Sequence, residues 1–204
     1  VKRADAHYRF MGLGWSHNHT YTLTLNGENA EVAMPDGGTL EFENGPYYFT
    51  AKAGSSATLY KVHSNYHHLT TQDKSVFVFG PTADPAILHL TERRWPNGEV
   101  WTYTYIDNKL SEVDDGYGRK LRFSYVASSA YDDGQLWRVG DHTASDLETG
   151  TPIGRYVEFG YMPEKVNGSP IANPKALLAS VRDVRGNTWG YDYFGQHTGE
   201  TTAE

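Results

Sequence analysis

Three segments of sixteen residues, which begin at Leu90, Leu110 and Leu178, align with one another without a gap. They share Leu at position one, Gly at position nine, an apolar residue at position twelve, an aromatic residue at position fourteen and Tyr at position sixteen. A fourth copy begins at Leu136 and ends at Tyr161, with ten extra residues between its halves. A fixed period of this kind is typical of repeat proteins, in which each copy is stabilised by its neighbours.

Each copy is predicted to be a β-hairpin. In the first copy Trp101, Tyr103 and Tyr105 alternate with polar residues, and a period of two is typical of a strand. Glycine at the centre of each copy tolerates positive φ and allows the chain to reverse. We expect equivalent turn positions for Gly98, Gly118, Gly154 and Gly186. We also expect strands of one continuous sheet to contain Trp101, Tyr103, Phe123, Tyr125, Phe159, Trp189 and Tyr191.

An ordinary antiparallel sandwich is the alternative, because alternation and glycine turns are common in all-β proteins. The recurrence of four positions in register favours the repeat. A single hairpin is marginally stable in water, so the copies must lie side by side. The first and last hairpins of such an array present unpaired strand edges, and we expect self-association there.

The first half of the chain is strand-like but less repetitive. Residues 21–25 and 30–34 flank Asn26-Gly27, and residues 39–42 follow a second glycine turn, which predicts a meander. Residues 76–79 are predicted to be a short apolar strand. The insertions at 143–152 and 163–174 are expected to be loops, and residues 175–180 a helical turn at most.

No linker separates two independent domains in the sequence. We divide the chain into an amino-terminal β-meander at 1–85, the hairpin repeats at 86–197 and a polar tail at 198–204. The polar ends suggest a piece of a longer protein.

Composition supports an all-β fold and excludes several functions. Aromatic residues make up 14% of the chain, and 21 Gly and 9 Pro supply turns. The 18 basic and 25 acidic residues give a net charge of −7, which argues against nucleic-acid binding. The chain has no cysteine, hence no disulfide or thiolate site, and no apolar stretch long enough for membrane insertion.

The repeats resemble the YD repeats of the Rhs (rearrangement hotspot) family, whose relatives include toxin-complex shells, wall-associated proteins and teneurins. The resemblance rests on Leu178, Val181, Asp183 and Gly186, followed by the closing aromatic-x-Tyr. The segment 12–18 is similar to the Gly-Trp-x-His-Asn signature that opens such arrays, and residues 36–42 and 69–79 are like its strand-turn-strand elements. The similarity extends over most of residues 10–195.

This resemblance implies an antiparallel β-hairpin array that curves into a sheet, as an arc of a β-cocoon shell around a carboxy-terminal domain, often a toxin. The chain would be a structural, non-catalytic part of a secreted or cell-surface protein, and the lack of cysteine favours a bacterial one. Its partners would be the rest of its parent chain and the enclosed cargo. The sequence departs from the family pattern at Arg93, which replaces Val at position four, in the loss of most Tyr-Asp pairs and in the long insertions.

Five histidines are candidate metal ligands. Imidazole is the commonest metal ligand, but the spacing of the histidines fits no metal motif, and we expect no metal or cofactor. The histidines considered are His17, His19, His63, His67 and His68.

Paired carboxylates could act as general acid and base. However, Asp is common in turns for its own backbone hydrogen bonds, so we expect no catalytic residue and no enzyme activity. The acids considered are Asp114 with Asp115, Asp132 with Asp133, and Glu92.

Aromatic stripes also occur in proteins that bind sugars, and a carbohydrate-binding surface module is the alternative function. Packing between hairpins is the preferred explanation of these rings. Buried rings at Trp101, Phe123, Phe159 and Trp189 would favour the shell, whereas an exposed row would favour glycan binding. The two sequons, at Asn18 and Asn167, matter for a secreted eukaryotic protein.

Overall fold

A computed structural model describes residues 10–12, 14–45, 48–52, 54–63, 65–127, 132, 134–148, 152–172 and 174–193. This part of the chain is all-β and has no helix, as the composition predicts. No helix that could cross a membrane is present within it. Its strands are β1 Thr22–Asn26, β2 Asn29–Ala33, β3 Thr39–Asn44, β4 Phe49–Ala51, β5 Thr58–His63, β6 Tyr66–Thr70, β7 Val76–Pro81, β8 Ile87–Arg94, β9 Val100–Ile106, β10 Lys109–Asp114, β11 Lys120–Tyr125, β12 Leu136–Gly140, β13 Tyr156–Pro163, β14 Lys165–Val166, β15 Ser169–Pro170, β16 Ala176–Arg182 and β17 Thr188–Gly190.

The chain forms two compact units. The barrel unit is His17–Lys120, and the sheet unit is Leu121–Glu204 together with Val1–Ser16. The change of sequence pattern near residue 85 therefore falls inside the barrel unit, just before β8. Residues 198–204, the predicted polar tail, lie outside the described residues.

In the barrel unit, strands β1 to β8 are antiparallel neighbours in chain order, as the meander predicts. The sheet also closes on itself, because β1 pairs with the first half of β8 through Thr22 and His89. The second half of β8 pairs instead with β9, and β10 follows as the next strand. The result is a closed eight-stranded barrel with two additional strands.

The barrel interior is filled by one face of each strand. Leu23 pairs with Val32 on one side and with Leu88 on the other, so their side chains share the inner face. Burying each such apolar side chain contributes roughly 1.5–3 kcal/mol. The fully buried apolar residues of this unit are Leu23, Val32, Phe42, Leu59, Leu69, Phe79 and Leu90.

The sheet unit contains an antiparallel sheet in the order β11-β12-β13-β16-β17. Two expectations for this region are wrong. Within the segment 175–180, residues 176–180 belong to β16 and not to a helical turn, because β16 pairs with strands on both sides and buries Leu177 and Leu178. The insertion at 163–174 is not all loop, since β14 and β15 pair as a small hairpin closed by Asn167 and Gly168 at positive φ.

The glycine-tryptophan segment near the start of the chain packs within the sheet unit. The N–H of Gly12 donates to Gln135 Oε1 at 2.8 Å, and the indole N–H of Trp15 donates to the Tyr193 hydroxyl at 2.8 Å. Gly12 has φ +81°, and a Cβ there would lie 3.0 Å from backbone atoms of Ala176 and Leu178. Glycine is therefore required at this close approach of two backbones.

The glycines of the four repeat copies have nearly the same backbone conformation, which confirms the predicted turn equivalence. Their φ values are +89° at Gly98, +87° at Gly118, +90° at Gly154 and +85° at Gly186. In the first copy the N–H of Trp95 donates to the carbonyl of Glu99 at 2.9 Å, which closes a five-residue loop. This geometry is a type I turn followed by a left-handed residue, a common hairpin connection.

A β-bulge at position two recurs in all four copies. In each case one residue is inserted opposite the preceding strand, so that Leu at position one and the residue at position three pair with consecutive partners. The bulged residues are Thr91, Ser111, Trp137 and Ala179. The four leucines before them are at most 5% exposed. Because the bulge shifts the alternation, positions one and four share a face.

The tyrosine at position sixteen closes the copy in the sheet unit. Tyr161 donates its hydroxyl to the carbonyl of Leu136 at 2.7 Å, and Tyr193 donates to the carbonyl of Leu178 at 2.7 Å. Both bonds join the last position of a copy to the first position of the same copy. Burial raises the pKa of both tyrosines, so each hydroxyl keeps its proton at neutral pH.

Candidate functional surfaces

The five candidate histidines do not form one cluster. His17 and His19 precede β1, with ring centroids 6.2 Å apart, whereas His63 ends β5. On β6, His67 faces the barrel interior, since it pairs with the fully buried Phe79, and His68 faces outward. Among the residues that the structure describes, no group of three His, Cys, Asp or Glu side chains could hold a metal ion.

The environments of His17, His19 and His67 favour their neutral form. Burial lowers the pKa of His17 to about 3 and that of His19 to about 4, with His19 also affected by the nearby charge of Arg93. Burial likewise lowers the pKa of His67 to about 4, and Lys61 adds to the effect. A cation beside an imidazole opposes metal binding as well as protonation, so these positions offer no electrostatic support for a metal.

The candidate carboxylates serve the backbone of turns and pair with cations. Asp114 accepts the N–H of Gly116 at 2.8 Å and lies 3.1 Å from Lys120 Nζ, and the first of these contacts lowers its pKa most. For Asp115 burial acts to raise the pKa, but hydrogen bonds from Tyr117 and Arg119 outweigh it and the pKa is lowered. Glu92 pairs with Arg94. Asp132 is described, but its neighbour Asp133 lies outside the described residues.

A group of aromatic rings surrounds Arg93 in the barrel unit. The Arg93 guanidinium carbon lies 4.8 Å from the centre of the Phe77 ring and 4.4 Å from that of Trp95. Trp101 is the direct partner of Arg93 in the β8–β9 register, and its ring lies 4.9 Å from that of Trp95. We call Phe77, Arg93, Trp95 and Trp101 the arginine cluster. The sequence contained one sign of this cluster: Arg93 occupies a repeat position that is valine in the other copies.

A second aromatic feature lies on the outside of the barrel. The rings of Tyr48 and Tyr60 are 5.8 Å apart, and these residues are 47% and 44% exposed. Tyr60 is directly opposite His68 in the β5–β6 register, so the two share the outer face. Nothing in the repeat pattern indicated this tyrosine pair, because Tyr48 lies outside the repeats and just before β4.

Most aromatic residues of the repeats are packed against protein. Tyr103 and Phe123 are buried, and Trp101 and Phe159 are half-buried. The exposed rings are Trp189 on β17, at 51%, and Tyr117 in a hairpin turn, at 71%. The strands that carry these rings, β9, β11, β13 and β17, belong to one fifteen-stranded sheet of the described residues, as expected. The expectation of a strand at Tyr191 is wrong, since β17 ends at Gly190.

Comparison with known proteins gives no identification. No protein-family model matches the sequence, and no curated protein is significantly similar to it. Function must therefore be argued from the chain itself.

Proposed function

We propose that this chain is a structural, non-catalytic segment of a large Rhs/YD-repeat protein whose hairpins form an arc of a shell. The observation that carries the proposal is the position-two bulge, which recurs in the same register in four copies. A bulge bends and twists its strand, so a bulge in every copy gives an array a consistent curvature. A curved wall requires such a repeated bend.

The side chains of the repeats are used for burial in the sheet and for hydrogen bonds that close each copy. The leucine at position one is buried in each copy, and in two copies the closing tyrosine bonds to that leucine's carbonyl. Several acidic residues of the loops accept backbone N–H groups, as Asp183 accepts the N–H of Asn187 at 2.8 Å. This use of side chains supports a structural role in a wall.

The proposed partners are the rest of the parent chain and a cargo domain that the wall encloses or presents, in a secreted or cell-surface protein of bacterial type. Strand β17 lies at an edge of its sheet, and its three residues are all exposed. An exposed edge pairs with another strand unless charge or proline blocks it. We propose that a further repeat of the parent chain pairs there.

Analytical sedimentation of the purified chain tests this proposal. We expect self-association at micromolar concentration, and we expect a Thr188→Pro variant to associate less, because it removes an N–H that points away from β16. Extension of the chain by the next repeat of its parent should abolish the association and protect β17 amides from exchange. A stable monomer whose β17 amides are already protected would contradict the proposal, because the edge would then need no partner.

Carbohydrate binding is the second candidate, and the exposed pair of Tyr48 and Tyr60 favours it. Two adjacent exposed rings on a rigid barrel can stack on the apolar faces of sugars. Titration with a panel of oligosaccharides, followed by calorimetry, tests it. Tyr60→Ala should abolish any binding, whereas Tyr117→Ala, at a residue that is 71% exposed on a turn, should not. Equal binding by both variants would exclude the tyrosine pair as the site.

A further inference from the structure

Arg93 breaks the repeat pattern at a position that is otherwise apolar. Position four is Val113, Val139 and Val181 in the other copies, and Val113 is buried. The bulge at Thr91 places Arg93 on the inner face of β8, because Arg93 pairs with Phe77 and Leu90 pairs with Phe79. A charged residue at an inward position is costly unless it has a role there.

The surroundings of Arg93 hold its guanidinium between rings. Phe77 lies on the neighbouring strand β7, and Trp95 follows β8 on the same chain segment. Trp101, which pairs with Arg93 from strand β9, is the third ring of the cluster. The ring faces attract the cation but accept none of its hydrogen bonds in full.

Arg93 has no hydrogen-bond acceptor or acidic partner among the described residues, and its Nε atom is buried without a partner. Arg138 provides a comparison, since it also stacks on a ring, with its guanidinium carbon 3.6 Å from the centre of Trp137. However, Arg138 bonds to Glu158 at 2.6 Å and to the carbonyl of Leu147 at 3.1 Å. At Arg138, therefore, stacking accompanies an oxygen partner and does not replace it.

The titratable neighbours of Arg93 do not neutralise it. Burial lowers the pKa of His19 to about 4, so this imidazole is neutral at pH 7. Burial raises the pKa of Tyr21 and of Tyr103, so both hydroxyls are protonated. Glu99 accepts the indole N–H of Trp101 at 2.8 Å, but it forms no ion pair with Arg93 among the described residues. Arg93 therefore carries a positive charge that no carboxylate pairs with directly, beside two tryptophan rings. Arg93 is half-buried, so part of its side chain reaches solvent.

We propose that the arginine cluster binds a carboxylate carried on a ring. The carboxylate would pair with the Arg93 guanidinium, and the ring would stack on Trp95 and Trp101. Uronic acids and aromatic acids have this chemistry. Binding would supply the acceptor that the guanidinium lacks, which gives a role to the arginine that replaces valine. The inference is independent of the proposed shell function and of the exposed tyrosine pair.

Tryptophan fluorescence of the full chain provides a direct readout, because Trp95 and Trp101 adjoin the cation. We would titrate glucuronate, benzoate and acetate separately at low ionic strength. A saturable change with glucuronate or benzoate, and a weaker one with acetate, is expected. Arg93→Met should weaken binding by at least about tenfold, as expected for loss of a hydrogen bond to a charged group.

Arg94→Met is the matched control, since Arg94 is the next residue, faces outward and pairs with Glu92. It should bind the probes as the parent chain does. If Arg93→Met does not fold, Trp95→Leu replaces it and should lose the preference for ring-bearing acids over acetate. Binding that Arg93→Met and Arg94→Met weaken equally, or no saturable change with any probe, would overturn the proposal. Binding of glucuronate alone would identify the ring of the ligand as a sugar. Binding of benzoate alone would identify it as aromatic.

Discussion

The barrel unit and the sheet unit are built with the same hairpin loop but differ in closure. In this loop the first residue donates its N–H to the carbonyl of the fifth, and the fourth residue is left-handed. It joins β2 to β3 at residues 34–38 and β6 to β7 at 71–75 in the barrel unit. It also joins β16 to β17 at residues 183–187 in the sheet unit. The hairpin is therefore a local module that both units share.

Closure depends instead on pairing between distant segments. Strand β1 meets β8 across more than sixty residues of chain, whereas β17 has one described neighbour, β16. One edge of strand β8 pairs with β1 along its first half and with β9 along its second half. The change of partner lies near the bulge at Thr91. The difference teaches that local turn chemistry sets the hairpins, while long-range pairing decides whether the sheet closes.

The prediction with the largest expected effect concerns whether the two units unfold together. Phe42 is fully buried in the barrel and Leu178 is buried in the sheet unit. Phe42→Ala should lower the free energy of unfolding by about 3–5 kcal/mol and Leu178→Ala by about 2–5 kcal/mol. Urea denaturation measures both.

Hydrogen exchange on the same variants separates the units. If they are independent, Phe42→Ala should accelerate exchange of barrel amides and leave β13 and β16 unchanged. Uniform acceleration in both units would show one cooperative fold, and the comparison between them would lose its energetic meaning.

The second prediction concerns the acid stability of the barrel. His67 is 1% exposed, its Nδ1 has no hydrogen-bond partner, and burial lowers its pKa to about 4 from an ordinary value of 6.5. The positive charge of Lys61 nearby adds to this effect, because it repels a proton on His67. Protonation favours the unfolded chain, so stability present above pH 6.5 is lost as the pH falls towards 4. The loss should reach about 2–3 kcal/mol.

His67→Leu should remove that share of the pH dependence, as measured by urea denaturation between pH 7 and pH 4. His17 and His19 add losses of the same sign, so some dependence should remain. His142→Asn, at an exposed histidine of the sheet unit, is the control. A pH profile for His67→Leu that matches the parent chain would show that His67 does not titrate in the barrel.

The third prediction tests whether the loops are equivalent in the two units. Gly98 and Gly186 have almost the same φ, and a Cβ at either position would meet no atom closer than 3.8 Å. Alanine at each should cost about 1–2 kcal/mol from the left-handed backbone alone. Thermal unfolding measures both. Costs that differ by more than about 1 kcal/mol would mean that the loops are alike in geometry but not in energy.

Much of this fold follows from sequence because its signals are local. Alternation with glycine turns predicted the strands from β1 to β3, β7 and the repeat hairpins, and the φ values of four glycines agree with the repeat register. The repeated bulge was not predicted, although it explains why positions one and four are both apolar. A hydrophobic spacing of three within a strand was the signal for it.

The remaining features depend on tertiary contacts that no local pattern encodes. Closure requires β1 to pair with β8, and the segment of β16 becomes a strand because it has a partner on each side. The outer tyrosine pair is formed by residues of two different segments. The separation of His67 from His68 likewise follows from the barrel, since successive residues of β6 face opposite sides of the strand.

The smallest expected effect concerns the one shared loop in which a residue other than glycine is left-handed. Lys74 has φ +67° at the position that glycine occupies in the repeats, and Asp73 supports the loop by accepting the N–H of Ser75 at 3.2 Å. Lys74→Gly should stabilise the chain by about 0.5–1 kcal/mol, because relief of backbone strain exceeds the added entropy of the unfolded state. Thermal unfolding measures it, with Lys52→Gly on the outer barrel surface as a destabilised control. Destabilisation by Lys74→Gly would mean that the lysine side chain contributes more than its backbone strain costs, and that the first half of the chain specifies this loop differently from the repeats.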